Sequence, residues 1–129
     1  MAYYFATTLP LGFDEAVQRT VDALKAEGFG VVTQIDIRAT LKEKLGVEFR
    51  DYRILGACNP ALAYEALKLE DKVGAMLPCN VVVQAIGPSQ TEVAAIDPVA
   101  SMQAIENPAL KEAAAQVQAK LSRVIASLH

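Results

Sequence analysis

Apolar and polar positions change period several times along the chain, and each change marks an element. Ala2 to Leu9 carries three aromatics and then Thr7-Thr8, which predicts a first strand ended by Pro10 and Gly12. Phe13, Val17, Val21 and Leu24 then recur at helical spacing, while Glu15, Gln18, Arg19, Asp22 and Lys25 fall elsewhere; Gly12 caps this helix and Gly28 stops it. From Gly30 to Ile37 the period is two: Val31, Thr33, Ile35 and Ile37 point one way, and Val32, Gln34 and Asp36 the other. A short helix over Ala39 to Leu45 closes at Gly46. Tyr52 to Cys58 reads as a third strand. Asn59 is then an N-cap and Pro60 a first helical residue, opening an apolar helix through Leu62, Ala63, Ala66, Leu67 and Leu69. Asp71 to Leu77 reads as a turn with room for one more helical turn.

The second half predicts a hairpin. Asn80 to Ile86 is a Val-rich strand, Gly87-Pro88-Ser89-Gln90 is a four-residue turn, and Thr91 to Asp97 runs back. A regular register sets Ile86 against Thr91, Gln84 against Val93, Val82 against Ala95 and Asn80 against Asp97. That register brings Asp97 close to Asn80 and Cys79, and a single bulge would break it. After a loop with Asn107-Pro108, Leu110, Ala114, Val117, Leu121, Val124 and Leu128 form the buried stripe of a last helix. Gln116, Gln118, Lys120 and Arg123 form its wet side. The order β-α-β-(α)-β-α-β-β-α predicts one α+β domain over residues 1–129. It is a two-layer sandwich of a mixed, largely antiparallel five-stranded sheet packed with helices.

Parity within the strands adds a prediction about assembly. Val32, Leu55, Val82 and Ile96 share strands with apolar residues of the opposite parity, so both sheet faces carry apolar side chains. A second copy of the chain would cover the face that the helices leave, which predicts a homodimer. The competing reading is scattered surface apolars, which are ordinary.

Composition narrows the function. A chain of 129 residues that is 53% hydrophobic and 21% charged has ample core material. A net charge of -3 with no basic stripe argues against a nucleic-acid partner. No run approaches the roughly 18 apolar residues of a spanning helix, so no membrane partner is expected. The start, Met1 to Thr8, has no basic region and turns polar too early for a signal peptide. The expectation is a cytoplasmic protein with reduced thiols.

The candidate chemistry lies in two echoing pieces, Cys58-Asn59-Pro60 and Pro78-Cys79-Asn80, which hold the only two cysteines. Cys58 at a helix start is the sharpest candidate, because backbone N–H groups and the helix dipole favour a thiolate there. The plain reading is that it packs as a small apolar group. Asn59 is an N-cap, or an amide donor toward a bound anion or carbonyl. Asn80 holds a loop or meets Asp97. Parallel third and fourth strands would put the two cysteines at opposite ends of the sheet, and antiparallel strands would bring them together. Arg50 and Arg53 flank Tyr52 as anion ligands, or as surface charges paired with Asp36 or Asp51. The only histidine is His129, which leaves little room for a Cys-His dyad and too few ligands for a Cys/His zinc site within one protomer; no cofactor is called for.

Several runs together carry a resemblance. They are Gly28-Phe29-Gly30-Val31, Thr33-Gln34-Ile35-Asp36, Leu41-Lys42-Glu43-Lys44-Leu45-Gly46, Tyr52-Arg53-Ile54-Leu55-Gly56-Ala57-Cys58-Asn59-Pro60 and Leu77-Pro78-Cys79-Asn80-Val81-Val82-Val83. The chain resembles the prokaryotic domain of unknown function 302 family from about Gly28 to Asp97. The resemblance implies a small α+β fold that tends to form a homodimer, and it implies no activity.

Three functions remain open at this point. The first is a non-enzymatic dimeric domain binding a small molecule beside Cys58, Asn59, Cys79, Asn80 and Asp97. The second is a thiol-dependent redox or sulfur-handling enzyme or carrier using Cys58. The third is a metal- or haem-binding module.

Overall fold

The structure, a computed structural model, describes residues 2–129. Five strands, β1 (Tyr4–Leu9), β2 (Gly30–Asp36), β3 (Tyr52–Cys58), β4 (Cys79–Gly87) and β5 (Gln90–Ile96), form one sheet in the order β1-β5-β4-β3-β2. Every ladder is antiparallel. Helices α1 (Phe13–Ala26), α2 (Ile37–Leu45), α3 (Pro60–Leu69), α4 (Pro98–Ser101) and α5 (Pro108–Ser127) complete the chain, with a 3₁₀ turn at Val73–Met76. The α+β sandwich is therefore the one expected. The mixed character falls away, because no crossover joins parallel neighbours.

The two long helices cover one sheet face. Odd-numbered residues Leu55, Ala57, Val81, Val83, Val93 and Ala95 are all buried there against Ala16, Val17 and Leu24 of α1 and Leu121, Val124 and Ile125 of α5. Thr20 is buried among them and donates its hydroxyl to the Ala16 carbonyl at 2.7 Å, so it leaves no orphan group. The other face stays open. Tyr4, Ile35 and Ile86 are 45%, 47% and 50% exposed, with Ile54, Val82, Ala94 and Ile96 half-buried between them.

The hairpin register differs from the expected one by a residue. Val83 faces Val93, Val81 faces Ala95 and Ala85 faces Thr91, with a bulge between Ala85 and Gly87. The regular register would set Gln84 beside Val93 and force a polar side chain into the core. The bulge corrects parity: Gln84 instead meets Glu92 on the open face, where its Nε2 donates to Glu92 Oε1 at 3.0 Å. A second bulge, between Val31 and Thr33, breaks the even alternation expected of β2 and leaves Val32 62% exposed. Beyond β5 the expected loop holds the short α4.

Candidate functional site

A cavity of about 340 Å³ opens at the end of the sheet where β3 stops and β2 and β4 start. Two apolar clusters flank it. One is the main core under α1 and α5. The other is a small one of Ala66, Val73, Met102, Leu110 and Ala114 that joins α3, the 3₁₀ turn and the first half of α5. Small side chains create the space. Ala57 from β3, Ala63 and Ala66 from α3, and Ala113 and Ala114 from α5 face it from three sides. No charged residue lines the wall. Its polar members are Asn59 and the thiols of Cys58 and Cys79, with Met102 adding a third sulfur.

The local fold brings the cysteines here. Ala57 pairs with Cys79 across β3 and β4, so Cys58 lies one residue further along the adjacent strand. Successive strand residues leave opposite sides of the sheet, so Cys58 and Cys79 approach the cavity from different sides and are not set for a disulfide. Both are free thiols, Cys58 half-buried and Cys79 buried. Burial raises the Cys79 thiol to about 11, and the nearby Cys58 adds to the shift. Cys79 therefore stays protonated at neutral pH and acts as apolar wall. Among the described residues, no three His, Cys, Asp or Glu side chains gather to hold a metal ion.

Asn59 caps α3 as the sequence suggests: its Oδ1 accepts from the Leu62 N–H at 3.3 Å, and Pro60 follows as first helical residue. Gly28 makes room for it. Its φ of +86° ends α1, and a Cβ there would stand 3.2 Å from Asn59 Nδ2. Gly56 is tighter still. A Cβ would fall 2.1 Å from Thr33 Oγ1 and 2.7 Å from Pro78 Cγ, so the Gly56-Ala57-Cys58 corner admits only glycine at its first position.

The other two candidate residues lie elsewhere. Asn80 is exposed and pairs with Gly56; with Tyr52, Gln84 and Glu92 it borders a shallow groove on the open face. Asp97 does not meet Asn80, because the bulge shifts the register by one. It caps α4 through Val99 N–H at 3.0 Å and Ala100 N–H at 3.4 Å. Gln118 Nε2 also donates to both Asp97 oxygens, at 3.0 and 3.1 Å. Gln118, expected on the wet side of α5, thus ties that helix to the end of β5. Among the described residues, Arg50 and Arg53 pair with neither Asp36 nor Asp51. Arg50 stacks 4.4 Å from the Phe49 ring and donates to Gln84 Oε1, and Arg53 lies 5.3 Å from the Phe13 ring. Asp51 pairs with Arg38, and Asp36 caps α2 through Ala39 N–H.

Phe29, Met102 and the alanines of α5 are wall residues that sequence reasoning passed over. The signal was the Ala113-Ala114-Ala115 run, which interrupts the larger side chains of the α5 stripe.

The family model for "Domain of unknown function DUF302" matches residues 5–128. The crystal structure of an uncharacterized conserved DUF302 protein from Bacillus stearothermophilus is similar throughout, with a TM-score of 0.90 and 31% identity over 100% of both chains. No curated protein matches the chain. Matched by the family model over residues 5–128 and sharing its fold with the Bacillus stearothermophilus protein over the whole length of both chains, the chain belongs to the DUF302 family.

Proposed function

We propose that the domain is a non-enzymatic binding module that holds a small, uncharged, apolar molecule in the cavity beside Cys58 and Asn59. The observation that carries this reading is the wall itself: about 340 Å³ of space with no charged side chain around it. An ionised ligand would lose its hydration there and gain no partner. The absence of a base among these wall residues argues against catalysis, and His129 does not line the cavity. Two reduced thiols in the wall fit a cytoplasmic setting. We also infer that two copies pair through the open sheet face, whose half-exposed Tyr4, Ile35 and Ile86 frame a mostly apolar surface.

A neutral fluorescent dye, N-phenyl-1-naphthylamine, tests the cavity. It brightens on binding to the unmodified protein and much less with Ala63→Leu, which takes up part of the space, while its sulfonated relative binds neither. Equal brightening with both proteins defeats the reading. Light scattering tests the pairing, and a clean monomer defeats it. The thiol alternative rests on Cys58, the more accessible cysteine of the wall. A native-state alkylation rate at Cys58 far above that of a small free thiol would favour it. Metal analysis and an absorption spectrum of untagged protein decide the metal or haem alternative.

A further inference from the structure

The chain leaves β3 at Cys58 and returns to β4 at Cys79, positions one residue apart in the ladder. Everything between them is an excursion whose two ends are fixed side by side on the sheet. It contains α3 and the 3₁₀ turn, and Leu62, Ala63, Ala66 and Leu67 of α3 form one wall of the cavity. This wall is loosely attached. Ala66 is the one buried residue of α3, and Tyr64, Leu67 and Leu69 are 63%, 44% and 40% exposed. The polar contacts of the excursion are almost all internal. Asn59 caps it, Lys68 pairs with Glu65, Lys72 pairs with Asp71, and Lys68 sits over the Tyr64 ring. Among the described residues, one side-chain hydrogen bond joins it to the rest of the molecule: Asn107 Nδ2 donates to the Leu69 carbonyl at 3.1 Å. Leu69 is the last residue of α3, where carbonyls lack helical partners.

Asn107 uses both ends of its amide. Its Oδ1 accepts from Leu110 N–H at 3.2 Å and caps α5, while its Nδ2 holds α3. The remaining attachment is an apolar cluster in which Ala66, the fully buried Val73 and Leu77 pack on Met102, Ile105, Leu110 and Ala114.

We infer that α3 and the 3₁₀ turn form a gate that swings away from α5 to admit the ligand, and that Asn107 is its latch. The inference rests on the cavity being a binding site and adds how that site is opened. The sheet fixes both ends of the gate, so opening breaks one side-chain hydrogen bond, parts the apolar cluster around Val73 and leaves every ladder intact. Local opening of this kind has a lower free energy than global unfolding.

The cap and the latch separate by substitution. Asn107→Asp keeps an oxygen for the α5 cap, removes the donor and sets a carboxylate against the Leu69 carbonyl. Asn107→Ser keeps the cap and cannot reach Leu69. Hydrogen exchange is followed in the full chain without ligand. In both variants the amides of Ala63 to Leu69 exchange roughly fivefold faster, the equivalent of one ordinary hydrogen bond, and those of Val81, Val83 and Val93 do not change. N-phenyl-1-naphthylamine, once bound, leaves the variants faster by a similar factor. Unchanged α3 exchange overturns the latch, and equal acceleration in the core strands shows a general loss of stability instead. A dye that never binds the unmodified protein defeats the cavity reading, while the exchange result still judges the motion.

Discussion

Helix α5 runs through two different interiors. Its second half sends Leu121, Val124 and Ile125 into the main core, where they meet strand residues that are almost fully buried. Its first half offers Leu110, Ala113, Ala114 and Val117 to the cavity. The backbone is one continuous helix, and side-chain volume makes the difference. Large branched residues face the middle of the sheet and close it. Ala113 and Ala114 face the sheet end and leave space there. Sealed packing supplies stability, and the unfilled end leaves the cavity in which we propose binding.

That comparison breaks most sharply at its sealed end. Leu121→Ala removes a fully buried side chain and lowers unfolding free energy by about 3–5 kcal/mol, measured by denaturant titration. Alkaline pH should act next. The Cys79 thiol is raised to about 11 in the folded state against a usual value near 9, so the folded protein holds its proton more tightly than the unfolded chain. The stability it confers is full below about pH 9 and fades as pH rises toward 11, by up to about 2–3 kcal/mol. Cys79→Ala should flatten that limb, and an unchanged slope would show that Cys79 is not its source.

The same substitution at two places sharpens the contrast further. Ala95→Leu overpacks the closed core and costs about 1–3 kcal/mol. Ala63→Leu points into the cavity and changes stability by less than about 1 kcal/mol. Equal costs at the two alanines would show that the cavity is as tightly packed as the core. The smallest effect belongs to the surface. Arg38→Ala breaks an ion pair with Asp51 whose side chains are half exposed, and changes unfolding free energy by less than about 1 kcal/mol.

Periodicity carried most of the fold. The helical stripe of α1 and the Asn59-Pro60 start of α3 are local signals, and each stands where the pattern put it; the strands stand close to their expected places, with β2 ending one residue early. The bulges were not legible. An extra residue at Ala85 to Gly87 changes no local propensity, and only the demand that Val81 and Val83 share a face with Val93 and Ala95 reveals it. That single shift decided the placing of Asp97. The site was half legible for a similar reason. Cys58, Asn59 and Cys79 stood out as a motif and line one cavity. Its volume comes from alanines on three separate elements, and no stretch of sequence announces that they meet. Gln118 and Asn107 were hidden as well, since a glutamine on a helix flank and an asparagine before proline have ordinary local explanations.

The excursion between β3 and β4 bears on how such a domain diversifies. Its ends sit on neighbouring strands, so residues can be gained or lost inside it without disturbing any pairing of the sheet. A lineage that lengthens or shortens α3 resizes the chamber and keeps the scaffold. Within this architecture the proposed gate is the interchangeable part, and variation in chamber size should concentrate in the segment between the two cysteines.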